Sequence, residues 1–130
     1  MLKSLMSIFI GGGLGASSRW ALSKLIFYWS FAERHPWVPI MTINVLGSLI
    51  LGFCYVLLVK HFAVNILWRN AILIGFLGGF TTFSSFSLNV MVSLEFGNII
   101  GAIANIVLSV MFSLLACAAG ISLAKAVVSL

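Results

Sequence analysis

Charge is what this sequence has least of. Of 130 residues, two are acidic and seven are basic, 7% in all, while 62% are hydrophobic. A water-soluble domain of this size carries about a quarter charged residues, so this chain cannot coat itself for water, and the bilayer is the solvent that suits it. The net charge of +5 does not indicate nucleic acid. The cations are spread singly, as Lys3, Arg19, Lys24, Arg34, Lys60, Arg69 and Lys125, and read as flanks of membrane spans. Cysteine is scarce too. Cys54 and Cys117 sit in separate apolar runs without a CxxC pair, which excludes metal or redox spacing and leaves them as packing residues. The apolar N-terminus lacks a small-residue cleavage site and is expected to be a span of the mature chain.

Four spans of about 20 apolar residues are expected in one membrane domain covering 1–130: 4–31, 37–59, 70–94 and 99–124. Glu33, Arg34, His35 and Pro36 form the first break, and Lys60 and His61 the second. Trp37, Trp68 and Arg69 stand at borders where an interfacial aromatic belt is expected, and Glu95 to Asn98 form the third break. Four spans place both termini on one side. Lys3, Lys60, Arg69 and Lys125 then face Lys24, Arg34 and, if it snorkels that way, Arg19. This is a weak positive-inside bias, compatible with insertion in both orientations or with a fixed one set by Lys3 and Lys60.

Polar groups inside spans are costly and mark function or helix packing. Gly11, Gly12, Gly13 and Gly15 suit close helix approach. Arg19 has no acidic partner in its span, and either snorkels or stands as a cation at a watery vestibule that attracts anions. Asn44 either bonds a neighbouring helix or donates its NH2 to an anion. The run from Gly75 to Ser87 places glycines before five hydroxyl residues. It predicts a helix break at about Gly78 to Thr82, with exposed carbonyls and amides of the kind that bind ions. Phe83 and Phe86, three apart, share a face of the following half-helix. Asn105, Ser109 and Ser113, at spacings of four, form a polar stripe. No carboxylate lies within a span, and no nucleophile, base and orienting group assemble, so the chain is not expected to be an enzyme.

The run Gly78-Gly79-Phe80-Thr81-Thr82-Phe83-Ser84-Ser85-Phe86-Ser87 resembles the GGxTTFSTFS signature of the Fluc (CrcB) fluoride channel family. Gly11 to Gly15 with Arg19 and Trp20, and Asn44 with Val45 and Gly47, agree with it. The resemblance implies an all-α integral membrane protein of four transmembrane helices per subunit, the third broken. It implies an antiparallel, dual-topology homodimer in the bacterial inner membrane, giving passive fluoride export and fluoride resistance. It implies that Asn44, Phe83, Phe86, Asn105, Ser109 and Ser113 line the fluoride pore and that Arg19 is the vestibule arginine. A structural sodium ion at the dimer interface would be held by the backbone carbonyls of Gly78 and Thr81. Ser85 replaces the usual threonine, Asn89 stands where many members have glutamate, and Asn105 where some have tyrosine. Two other classes fit a small four-span protein: a multidrug exporter, which needs a membrane-embedded carboxylate, and a structural subunit whose polar residues only join helices.

Overall fold

The computed structural model describes residues 1–28 and 34–129, and the described chain is helical throughout its long elements. Helix α1 runs Leu2–Phe27. Helix α2 runs Val38–Tyr55 and widens into a π-helical stretch, Val56–His61. Helix α3 is built from Ile66–Arg69, a π-helical Asn70–Leu77 and a last turn, Gly78–Phe80. Helix α4 is Phe83–Glu95 and α5 is Ile99–Val128. The expected end of the first span at Phe31, and Glu33 of the turn after it, lie outside the described residues.

Each start has a local chemical cause. Pro39 falls in the first turn of α2, where its missing N–H costs nothing and its fixed φ fits the helix. Asn65, Thr82 and Asn98 cap α3, α4 and α5 by accepting from the backbone N–H of Leu67, Ser85 and Gly101. The turn between α4 and α5 is compact for a related reason. Gly97 takes φ +72°, its N–H donates to Leu94 O, and the Asn98 N–H donates to Ser93 O. This glycine-ended helix stop hands the chain directly to the Asn98 cap.

Among the described residues, three elements are long and apolar enough to cross a membrane: Val38–His61, Ile66–Glu95 and Ile99–Val128. Val38–His61 and Ile99–Val128 run past their expected ends at 59 and 124, and Ile66–Glu95 begins before its expected start at 70, because Lys60, His61, Arg69 and Lys125 end an apolar run without ending a helix. Helix α1 has 26 residues, but its glycines, serines, Arg19 and Lys24 dilute its apolarity. Of the two border tryptophans, Trp37 is packed against the chain at 8% exposed, whereas Trp68 is open. Cys54 and Cys117 are free and half-buried.

Two parallel helix pairs form the bundle, and glycine sets the spacing in both. In the α1–α3 pair, a Cβ on Gly11 would strike Ala71 O and one on Gly15 would strike Phe76 O. From the other side, a Cβ on Gly75 would lie 2.8 Å from Ile8 O and one on Gly79 2.6 Å from Gly12 O. In the α2–α5 pair, Gly52 abuts the backbone of Cys117 and Ile121, and Gly120 that of Leu49 and Phe53. Backbone thus lies against backbone, the close approach that small residues allow between helices in lipid. The second half-helix, α4, packs on α5 through Phe86, Val90 and Ala102, with Ile40 of α2 against them.

Because these contacts are to backbone, they cannot yield by rotamer change. Gly15→Val and Gly120→Val are each expected to lose about 2 kcal/mol or more of stability. Gly13→Ala, where nothing lies within 4 Å of a new Cβ, is expected to be neutral or to gain up to about 1 kcal/mol from helix propensity. Unfolding of the purified protein in detergent, followed by helical circular dichroism, makes the comparison.

Candidate functional site: a clamped break in a long helix

The third long element is interrupted at its middle. Helical geometry persists through Phe80. Thr81 then turns to φ −79°, ψ 157° and Thr82 to φ −153°, ψ 119°, both extended. The break falls at the end of the expected Gly78 to Thr82 window, since glycine tolerates a helix here and the two β-branched threonines leave it.

One side chain occupies the gap. Asn44 of α2 accepts from the Thr82 N–H through Oδ1 at 2.8 Å and donates from Nδ2 to the Thr82 carbonyl at 3.1 Å. Of the two roles open to Asn44 from sequence, the structure places it in the helix-bonding one, and the second Nδ2 hydrogen stays available beside it. Gly47, one turn further along α2, lets Thr81 and Phe80 close over it: a Cβ there would meet Thr81 Cγ2 and lie 3.2 Å from Phe80 Cδ1.

The clamp redirects backbone hydrogen bonding. In a continuous helix the Thr82 N–H would serve the carbonyl of Gly78, and the Ser85 N–H that of Thr81. Here the first goes to Asn44 Oδ1 and the second to Thr82 Oγ1 at 3.2 Å. The amides that would have satisfied Gly78 and Thr81 are therefore committed elsewhere, and Gly78 lies on the exposed surface of the chain.

A polar chain extends from the break toward α1. Thr82 Oγ1 donates to Ser85 Oγ at 3.2 Å and lies 3.2 Å from Ser84 Oγ. Arg19 Nη1 reaches Ser85 Oγ at 3.4 Å, and its Nε is buried without a partner. Arg19 thus turns inward to the broken helix rather than outward to the border. Neither Thr82 nor Ser85 is among the pore or metal residues expected from sequence. The signal was present in the Thr82–Ser85 spacing, which is that of a helix cap and the amide it satisfies.

The remaining candidates divide between interior and surface. The rings of Phe83 and Phe86 meet at 5.4 Å between centroids, tilted by 46°, but Phe83 is 78% exposed and Phe86 only 9%. Asn105 is 1% exposed. Its Oδ1 accepts from Ser109 Oγ at 2.8 Å, and its Nδ2 has no partner. Ser113 is half-buried one turn beyond Ser109. A buried donor without an acceptor is costly, and here it sits one turn along α5 from Ala102, which packs on Phe86.

The clamp makes a direct prediction. Asn44→Leu removes both bonds at nearly equal volume and is expected to cost about 2 kcal/mol, at about 1 kcal/mol per bond. Hydrogen exchange at the Thr82 amide is expected to quicken, while the amides of α5 keep their protection. Unchanged exchange at Thr82 would place the cause of the break elsewhere.

The comparisons with known proteins bear on this arrangement. The profile of the family described as CrcB-like protein, Camphor Resistance (CrcB), matches residues 6–121. A relative from Coxiella burnetii (strain Dugway 5J108-111) bearing the name Fluoride-specific ion channel FluC is 39% identical over 108 residues, 82% of this chain and 86% of the relative. One of the same name from Serratia proteamaculans (strain 568) is 37% identical over 114 residues, 88% and 87% of the two chains. A third, from Methylococcus capsulatus (strain ATCC 33009 / NCIMB 11132 / Bath), is 38% identical over 96% of this chain, which spans 54% of that relative.

Proposed function

The chain belongs to the CrcB-like family, and on that premise we propose that this multi-pass membrane protein is one subunit of a fluoride-selective channel that passes the anion passively and confers fluoride resistance. The observation that carries the reading is the clamped break at Thr81 and Thr82, because it gathers uncharged hydrogen-bond donors inside an element long and apolar enough to span.

Fluoride is small and holds water tightly, so a conducting site has to replace water with donors and still release the ion. The groups near the break suit that task. Hydroxyls of Ser84 and Ser85, the spare Nδ2 hydrogen of Asn44 and the unpartnered Nδ2 of Asn105 donate without fixed charge. Phe83 and Phe86 offer ring edges, which carry the positive part of the aromatic quadrupole. Arg19 is the cation that draws anions toward the break, and Ser109 and Ser113 continue the polar stripe.

The finer reading is an antiparallel, dual-topology homodimer in the bacterial inner membrane, with α1 as a fourth span. Its parallel seating along α3 supports a crossing of equal depth, and the weak basic-residue bias supports insertion both ways. The exposed Phe83 ring fits a pore wall completed by a second copy. Sodium fits the break. Gly78 and Thr81 carbonyls are among those whose helical amides have been diverted, and two copies would supply four such oxygens, hard ligands suited to a hard cation. The ion would supply fixed positive charge at the interface, and these residues would hold it.

Liposomes holding the purified protein test the channel reading. Fluoride is expected to leave down its gradient while chloride stays near the protein-free rate. Phe86→Ile, which keeps apolar bulk and loses the ring edge, is expected to cut fluoride efflux at least about tenfold with the assembly still intact by gel filtration, since apolar swaps in a packed core cost little. Equal chloride flux, or fluoride flux that requires a proton gradient, would overturn it.

The cation makes a separate prediction. Replacing sodium with N-methylglucamine is expected to lower the unfolding midpoint, by the equivalent of about 2.7 kcal/mol when sodium had been at a hundred times its dissociation constant. An unchanged midpoint would remove sodium from the proposal.

A further inference from the structure

The bundle end that carries both termini holds a feature the anion path does not use. Helices α2 and α5 run parallel and finish together there, α2 on Lys60 and His61 and α5 just beyond Lys125. Between these ends lies a cavity of about 280 Å³ lined by Val56, Lys60, His61, Lys125, Val128 and Ser129. Its floor is apolar: Val56 is buried and Val128 half-buried, whereas Lys60, His61 and Lys125 are exposed at the rim. Lys60 Nζ also lies 5.5 Å from the Tyr55 ring centroid, a cation–π contact beside the rim. Glu95, the acidic residue among the described ones, closes α4 at the opposite end of the bundle, where α4 meets Trp37 and Pro36.

We propose that this cavity is a binding site for an anionic phospholipid, with the phosphate between Lys60 and Lys125 and an acyl chain lying over Val56 and Val128. Two membrane-capable helices leave the bilayer at this point, so the lysines stand at headgroup height and the valines at the depth where chains begin. The paired charge selects against phosphatidylcholine, whose quaternary ammonium would be brought toward two lysines, and favours a headgroup of net negative charge such as phosphatidylglycerol. Free phosphate would meet the same lysines but has nothing to lay on the apolar floor, so the two parts of the cavity together point to a lipid.

Native mass spectrometry of the full chain in detergent doped with equal phosphatidylglycerol and phosphatidylcholine tests the site. Wild type is expected to retain phosphatidylglycerol adducts in preference. Lys60→Gln with Lys125→Gln is expected to weaken that retention roughly thirtyfold, from the ordinary contribution of a lysine near an anionic surface, while Lys24→Gln at the other end leaves it unchanged. The single variants Lys60→Gln and Lys125→Gln are expected to fall between, which keeps the test informative if the double variant does not fold. Equal retention of the two lipids by wild type, or full retention by the lysine variants, would overturn the proposal. So would thermal stabilisation by inorganic phosphate matching that by the lipid, which would assign the lysines to a soluble anion. None of these readouts depends on fluoride flux, so the site stands or falls apart from the channel reading.

Discussion

The amide of Asn44 holds open a gap that lipid would otherwise forbid. Backbone polar groups in a bilayer have to be satisfied within the protein, and two extended residues in the middle of a long apolar element leave several without helical partners. Asn44 answers for Thr82 on both sides, N–H and carbonyl, and Thr82 in turn caps the next helix through Ser85. Break and restart are thus one hydrogen-bonded unit. The placement of Phe83 and Phe86, the approach of Arg19 to Ser85 and the diversion of amides from Gly78 and Thr81 all follow from where that unit sits.

The unit is held in register by the glycine contacts. Gly47 lets Phe80 and Thr81 close against α2 beside Asn44, and a larger residue there would push the break away from the amide that satisfies it. The α1–α3 ridge of Gly11, Gly15, Gly75 and Gly79 brings α1 near enough for Arg19 to reach across to Ser85. An arginine at this depth is expensive unless it faces protein or water, so glycine packing and arginine placement form one arrangement: the first sets the distance that the second needs.

Much of this was legible in the residues, and what was not has identifiable causes. The break could be read because glycine pairs and clustered hydroxyls are a poor helix for lipid. The glycine packing could be read from spacing alone. Asn44 could not be resolved, because an amide in a span bonds a helix or a ligand with the same atoms, and only the position of Thr82 decides. Arg19 was ambiguous for a similar reason: a long side chain reaches the border or the interior equally well. Trp37 packs inward because a tryptophan at a span end suits both an interfacial belt and a packed corner, and here Pro36 and the end of α4 lie beside it. The span ends fell short because hydropathy stops at a lysine, whereas the helical hydrogen bonding of α2 and α5 does not.

The scarcity of charge that begins the sequence returns at the site as a constraint on mechanism. Among the described residues, Arg19 is the cation that reaches the break, and it does so through a serine hydroxyl at 3.4 Å rather than by facing the break bare. A formal charge in a dry passage would hold a small anion too strongly to release it, because Coulomb attraction grows as water is excluded. Neutral donors scale differently. Each hydroxyl, amide hydrogen or ring edge contributes modestly, and an ion handed from one to the next is never held by all of them. On the proposed reading, the arrangement around Thr82 separates two tasks, attraction by one screened arginine and desolvation by several uncharged groups. Asn105 shows the second in its clearest form. Ser109 occupies its Oδ1, which fixes the amide so that the free edge is the donor edge, and a buried, unpartnered NH2 of that kind is a group whose remaining partner has to be an acceptor. On the proposed reading that acceptor is the permeating anion, and because one neutral amide edge offers it a single modest hydrogen bond, the ion is held there weakly enough to move on.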